Sequence, residues 1–245
     1  MLSTDTRVAV VSGGSSGLGR AFVARLHAEG WKVHACGRDA GKLKKLQQDY
    51  PGVAAQVCDV TDRLAVRRFA VQVFTETPGI DLLVSNAGGA REIDFTSSDL
   101  PATDLSADLR NNTEGAIHLI AEFLPGLRRR SSASILIVSS GFALAPATRA
   151  PLYSASKAAL HSLSKSLRRQ LAPLGISVTE LLPPVVDTPS VAHRQVSKLD
   201  PDAVAREALR GVERGKEEVR PGAVRFLPLL LRLVPRVAEG IVARS

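Results

Sequence analysis

Apolar residues recur along this chain in two alternating arrangements. Short runs rich in β-branched side chains, such as Val8-Ala9-Val10-Val11 and Ile135-Leu136-Ile137-Val138, are apolar at successive positions. Such runs fit strands of a parallel sheet that is covered on both faces. They predict strands over 7–12, 32–36, 53–57, 81–85, 133–138 and 176–182, with 217–220 as a last edge strand. Longer stretches between them space their apolar residues at helical intervals, predicting helices over 17–29, 39–49, 62–75, 104–129, 152–172 and 202–213. Asp62 is suited to cap the third of these, and Pro201 to start the last. Strand and helix alternating at this spacing predict an α/β fold, a doubly wound parallel sheet with helices on both faces and right-handed crossovers. No repeat, low-complexity tract or linker interrupts the alternation, so residues 1–245 read as one domain.

The turn between the first strand and the first helix carries the clearest chemistry. It runs Ser12-Gly13-Gly14-Ser15-Ser16-Gly17-Leu18-Gly19. Glycines there let the backbone approach a ligand closely, and the helix N-terminus offers unpaired N–H groups and partial positive charge to a pyrophosphate. In a strand–turn–helix at the first βα unit, this predicts nucleotide binding on a Rossmann-type sheet.

The turn's spacing is Gly-x-x-x-Gly-x-Gly. With it, the chain resembles the short-chain dehydrogenase/reductase family, whose turn usually begins with Thr where Ser12 keeps a hydroxyl. Further matches follow in order: Asp59-Val60 after the third strand, Asn86-Ala87-Gly88 after the fourth and Asn112-Thr113-Glu114-Gly115 in a long helix. Ser139-Ser140 then ends the fifth strand, Tyr153-Ser154-Ala155-Ser156-Lys157 opens the next helix, and Pro183 to Thr188 follows the sixth strand. The resemblance spans about residues 7 to 220. It implies a cofactor site made of Gly13, Ser15, Ser16, Gly17, Leu18, Gly19, Arg38, Asp59, Val60, Asn86, Ala87 and Gly88, together with Tyr153, Lys157, Pro183, Val186 and Thr188.

Tyr153 and Lys157 stand four apart on a predicted helix and so share a face. A phenol titrates near ~10, and a neighbouring ammonium favours the phenolate, so the pair makes a usable acid/base group. Ser140 lies at a strand's carboxyl end, where open α/β sheets bind ligands. The resemblance implies that Ser140 bonds the substrate oxygen and Tyr153 exchanges the proton. Lys157 would tune Tyr153 and hold the nicotinamide ribose, and Asn112 would order a helix bend and a relay water. Asn111 is the fallback for Asn112. The expected reaction is interconversion of a carbonyl and a secondary alcohol by an NADP(H)-dependent oxidoreductase; a non-catalytic, cofactor-binding regulator on the same fold is the alternative.

NADP(H) is expected over NAD(H), the second choice. Where an acidic residue would bond the adenosine ribose, the run Ala35-Cys36-Gly37-Arg38-Asp39 has Gly37, and Arg38 beside it can meet a 2′-phosphate. Asp39 reads as a helix cap. Pro184 stands where the family usually has Gly, and the segment 188–200 is a short substrate lid.

Composition adds two points. Only Cys36 and Cys58 are present, too few for a disulfide or zinc scaffold, and no metal site is expected. With no secretory signal at the start and no apolar run near ~20 residues, the chain is expected to be cytoplasmic. Net charge is +8, and it is uneven: residues 1–125 hold 13 basic and 15 acidic side chains, residues 126–245 hold 19 and 9. Cofactor phosphates must then be gripped by the turn amides and Arg38, while the basic half carries the catalytic helix, the lid and the tail, 221–245. No nucleic-acid-binding motif is present, and a small-molecule substrate is the expected partner, with a homodimer or homotetramer as the assembly. The tail interleaves Leu229, Leu230, Leu233, Val234 and Val237 with Arg225, Arg232 and Arg236. It is expected to pack on its own domain or a second copy; peripheral contact with a membrane surface and a free tail are the alternatives.

Overall fold

A computed structural model describes residues 6–189 and 197–244. Seven parallel strands, β1 (Val8–Ser12), β2 (Lys32–Gly37), β3 (Ala54–Val57), β4 (Leu82–Ser85), β5 (Ala133–Val138), β6 (Ile176–Leu181) and β7 (Glu218–Val219), form one sheet in the order β3-β2-β1-β4-β5-β6-β7. Each apolar run explains its strand through the pleat, because successive side chains point to opposite faces. Val10, Leu83, Ile135 and Ile137 enter one core, against Phe69 of α3 (Arg63–Glu76), Phe123 of α5 (Gly115–Leu127) and Leu160 of α6 (Pro151–Leu171). Their neighbours Val11, Val84 and Leu136 enter the other, against Phe22 and Leu26 of α1 (Gly17–Ala28) and Ala208 of α7 (Pro201–Glu213). The helix α2 (Ala40–Asp49) completes the β2–β3 crossover, with Asp39 as its cap, accepting from the Lys42 amide at 3.0 Å.

The strand order reverses between β1 and β4. At such a switch point the loops leaving the carboxyl ends part, and a crevice opens.

Two elements differ from expectation. The predicted helix 104–129 starts later, because the Asp104 carboxylate holds the Ser106 amide in a turn at 3.2 Å. It is also divided: α4 (Ala107–Leu109), a π-helical turn (Arg110–Glu114), then α5. The edge strand predicted over 217–220 is only Glu218–Val219. The tail is a 3-10 turn (Gly222–Phe226) followed by two short helices, α8 (Leu227–Leu233) and α9 (Pro235–Ala243). Of the segment 188–200, expected as a lid, residues 190–196 lie outside the described residues. Its base is paired, with the Asp187 amide donating to the Leu199 carbonyl at 2.8 Å.

Candidate active site

A cleft of about 900 Å³ lies along the carboxyl ends of the strands. Every residue expected at the site lines it except Asn112.

At one end is the glycine-rich turn. Gly13 and Gly17 sit at φ +66° and +49°, in the left-handed region. A Cβ on Gly19 would lie 2.1 Å from the Gly13 carbonyl oxygen, so the turn closes only without a side chain there. Ser16, the cap residue of α1, makes no side-chain cap bond, leaving the helix's first amides directed at the cleft. Ser12 is fully buried, and its hydroxyl accepts from the Asn86 and Ala87 amides, both at 3.0 Å. The Asn86 side chain donates back to the Ser12 carbonyl at 3.0 Å. These bonds tie the Asn86-Ala87-Gly88 loop to the glycine-rich turn. From the opposite wall, Thr188 reaches over the turn, its Cγ2 2.8 Å from where a Gly17 Cβ would stand.

Gly37 and Arg38 form the edge beyond β2. Arg38 is exposed and makes no ion pair among the described residues. A Cβ at Gly37 would stand 2.9 Å from Ser15 Oγ, so the two positions face each other across the edge of the turn. Asp59 is engaged locally, accepting from the Thr61 amide and hydroxyl at 2.9 Å each. This turn-cradle of bare amides, positive φ and one uncommitted guanidinium fits a pyrophosphate-bearing dinucleotide.

Ser140, Tyr153 and Lys157 meet at the other end. Ser140 is an extended residue at the exit of β5, and its Oγ accepts from the Phe142 amide at 3.2 Å, which leaves its proton to donate into the cleft. Ser139 differs: its hydroxyl is spent on the Lys157 carbonyl at 3.2 Å. Lys157 is only 4% exposed, its Nζ donates to the Val138 carbonyl at 2.9 Å, and it stands 5.5 Å from the Tyr153 ring centroid. Burial pulls the ammonium down to about 8, opposed by the charge of Glu180. Phe142 packs edge-on to Tyr153 at 6.3 Å.

Asn112 stands in the π-turn, at the helix bend that the resemblance implied for it. It is 1% exposed and behind the cleft wall, while Asn111, the fallback, lines the cleft. The Asn112 amide donates to the Gly89 and Asp108 carbonyls at 2.9 Å each and accepts from the Gly89 amide at 3.1 Å. The bond to Asp108 reaches the carbonyl one turn earlier, just ahead of the π-turn. Asn112 therefore clamps the bend to the Gly88-Gly89 loop, and its side chain has no donor left for a water.

Sequence reasoning passed over two groups. His161 continues the Tyr153–Lys157 face by one more helical turn, and its Nδ1 is 2.7 Å from Oε2 of fully buried Glu180 on β6. Burial raises Glu180 above the ordinary carboxylate range, against the opposing bond from His161. His161, Glu180 and Glu218 bring donor atoms within 4.8 Å of one another, and Arg220 already pairs with Glu218. The i, i+8 spacing of Tyr153 and His161 was the available signal. Val224, Leu227 and Val242 of the tail line the cleft as well, which no local pattern announced.

The short chain dehydrogenase profile matches residues 7–198. The chain belongs to that family. It is 33% identical over 219 residues to the uncharacterized oxidoreductase DltE of Bacillus subtilis, covering 86% of each chain. It is 31% identical over 206 residues to a fatty acyl-CoA reductase of Acinetobacter baylyi, covering 82% of this chain and 70% of the relative. A short chain dehydrogenase of Burkholderia cenocepacia, solved in complex with NADP, superposes with a TM-score of 0.86 at 26% identity over 98% of each chain. As a short-chain dehydrogenase/reductase, the chain is an oxidoreductase on a Rossmann-type fold.

Proposed function

We propose that this short-chain dehydrogenase reduces a carbonyl to a secondary alcohol, or the reverse, with NADP(H). The observation that carries the reading is the convergence of Ser140, Tyr153 and buried Lys157 at one end of a cleft whose other end is the glycine-rich turn. When bound, the nicotinamide supplies the hydride to the carbonyl carbon or takes it from the alcohol. Ser140 donates its hydroxyl hydrogen to the substrate oxygen and fixes its direction. Tyr153 gives that oxygen a proton in reduction and removes it in oxidation. Lys157 keeps a positive charge beside the phenol and holds the ribose hydroxyls. Asn112 acts one step removed, by fixing the π-turn and the Gly88-Gly89 loop beneath Lys157.

The cofactor grip rests on Gly13, Ser15, Ser16, Gly17, Leu18 and Gly19 for the pyrophosphate. Asp59, Val60 and the Asn86–Gly88 loop flank the adenine and ribose, with Pro183, Val186 and Thr188 on the opposite wall. Arg38, with no ion pair among the described residues and next to Gly37, supports a 2′-phosphate over a bare ribose. The NADP complex of the Burkholderia relative agrees with that choice. Apolar Val224, Leu227 and Val242 at the substrate end, and the likeness to a fatty acyl-CoA reductase, favour carbonyls on long apolar chains. Two buried free thiols, Cys36 and Cys58, fit a reducing cytoplasmic setting.

The test is oxidation of NADPH and NADH, followed optically, against a series of ketones and aldehydes of increasing chain length. Tyr153→Phe is expected to lower kcat by about 10²-fold or more while NADPH still binds. Undiminished turnover in that variant would remove Tyr153 from the chemistry.

A further inference from the structure

The tail is apolar on two opposite sides. Its inner side is satisfied: Leu227 and Ala238 are buried against Ala145, with Leu231 and Val242 packed around them, and the Thr148 amide donates to the Ala243 carbonyl at 3.2 Å. Its outer side is not. Leu229, Leu233, Val237 and Ile241 are each 57–66% exposed. Of the fourteen large apolar side chains exposed among the described residues, seven fall between Phe226 and Ile241. A helix apolar all round belongs in a core or against another apolar phase, and here the second side meets solvent.

The charges at the rim of this face select what covers it. Arg225, Arg232, Arg236 and Arg244 are all exposed, none makes an ion pair among the described residues, and Glu239 is the sole acid in residues 221–245. Two copies meeting face to face about a two-fold axis would set arginine against arginine. An anionic lipid surface instead offers phosphates at the depth of the guanidinium groups and acyl chains beneath the leucines. The helices suit lying in that interface, since 7 and 9 residues are too short to cross.

We propose that α8 and α9 dock this enzyme on an anionic phospholipid bilayer, their outer face set into the boundary between headgroups and acyl chains. The same helices line the substrate end of the cleft with Leu227 and Val242, so the cleft lies about one helix diameter from the lipid. Resting on the proposed function, the substrate class becomes an apolar carbonyl or alcohol dissolved in that bilayer.

Flotation of the full chain with vesicles tests the docking separately from turnover. Vesicles of phosphatidylcholine containing phosphatidylglycerol are expected to bind it about tenfold or more tightly than phosphatidylcholine alone, with the difference shrinking in high salt. The double variant Leu233→Glu/Val237→Glu is expected to lose vesicle binding by about tenfold or more, yet keep NADPH binding and the reduction of a short water-soluble ketone. Arg232→Gln/Arg236→Gln, which leaves the apolar face intact, is expected to lose the preference for the anionic lipid. Failure to bind either vesicle, or undiminished binding by both variants, overturns the proposal. A dimer in solution that Leu233→Glu/Val237→Glu splits would assign the face to a second copy and overturn it equally. Should anionic vesicles bind the chain while no carbonyl is ever turned over, the docking stands and the proposed reaction falls.

Discussion

Three side chains have their properties set by what surrounds them. Lys157 would hold its proton to about 10.5 in the unfolded chain, and burial brings this to about 8. Between those values the unfolded state binds more protons, so the group's burden on stability is full below about pH 8 and is relieved as pH rises toward 10.5. A Lys157→Met variant, inactive by the proposed mechanism, is expected to be more stable than the parent by about 1–3 kcal/mol near pH 7. That gain should fade toward pH 10.5 in parallel urea titrations; a constant difference would mean that the ammonium is not what burial penalises. Glu180 supports the charged form of Lys157, so Glu180→Gln should move the Lys157-dependent limb of the kcat–pH profile to lower pH. A merely structural role would lower kcat without moving the limb. Arg38 is the third case. Arg38→Ser should weaken NADPH by about tenfold, the value of one charge-assisted bond to phosphate, while leaving NADH within about twofold, as read by fluorescence titration of each.

The helix that passes behind the cleft is where an element departs from its regular form for a local reason. A π-turn inserts at Arg110–Glu114, and Asn112 meets the Asp108 carbonyl, the Gly89 carbonyl and the Gly89 amide with one side chain. Asn112→Ala would strand these three backbone groups, and each buried polar group left unpaired costs about 1–3 kcal/mol. Relaxation and water recover part of that, so a loss of about 2–4 kcal/mol is expected in urea unfolding, with kcat reduced through a displaced Lys157. Wild-type stability in the variant would mean the π-turn stands without its clamp. A sequence could announce Asn112 only as an Asn in a long helix, because its three partners come from another loop and from the bend. The turn at Gly13–Gly19 was legible for the opposite reason. Its strand, glycines and helix are contiguous, and the conformation they need is local.

Across the molecule, the two cores and the tail determine how the cleft is closed. The sheet positions the glycine-rich turn and the Ser140 loop on the same edge, and the tail then walls the cleft from the far terminus. Ala238, 2% exposed, is the point where that wall seats on Ala145. Ala238→Arg should unseat α9, making the tail cleavable by trypsin in minutes and raising KM for apolar carbonyls by about tenfold. NADPH affinity should stay as it is, because the cofactor end is built from other segments. A protected tail in that variant would show that α9 is held from elsewhere.

The order of amino acids was enough for the strand and helix pattern, because one-residue alternation and helical spacing are short-range and each apolar run reports its own two faces. It was enough too for the glycine-rich turn and for Tyr153 above Lys157, which contiguous residues compose. Only the folded chain decided the rest. Glu180 gains its raised proton affinity from burial between α6 and the sheet, nineteen residues from His161. Asn112 becomes a clamp because a loop twenty-three residues earlier meets its amide. The tail's inner side becomes a wall and its outer side an uncovered apolar face only when residues near Ala145 and Ala243 meet. Desolvation, hydrogen-bond completion and the covering of apolar surface each depend on segments distant in sequence, and no local pattern encodes which segments those are.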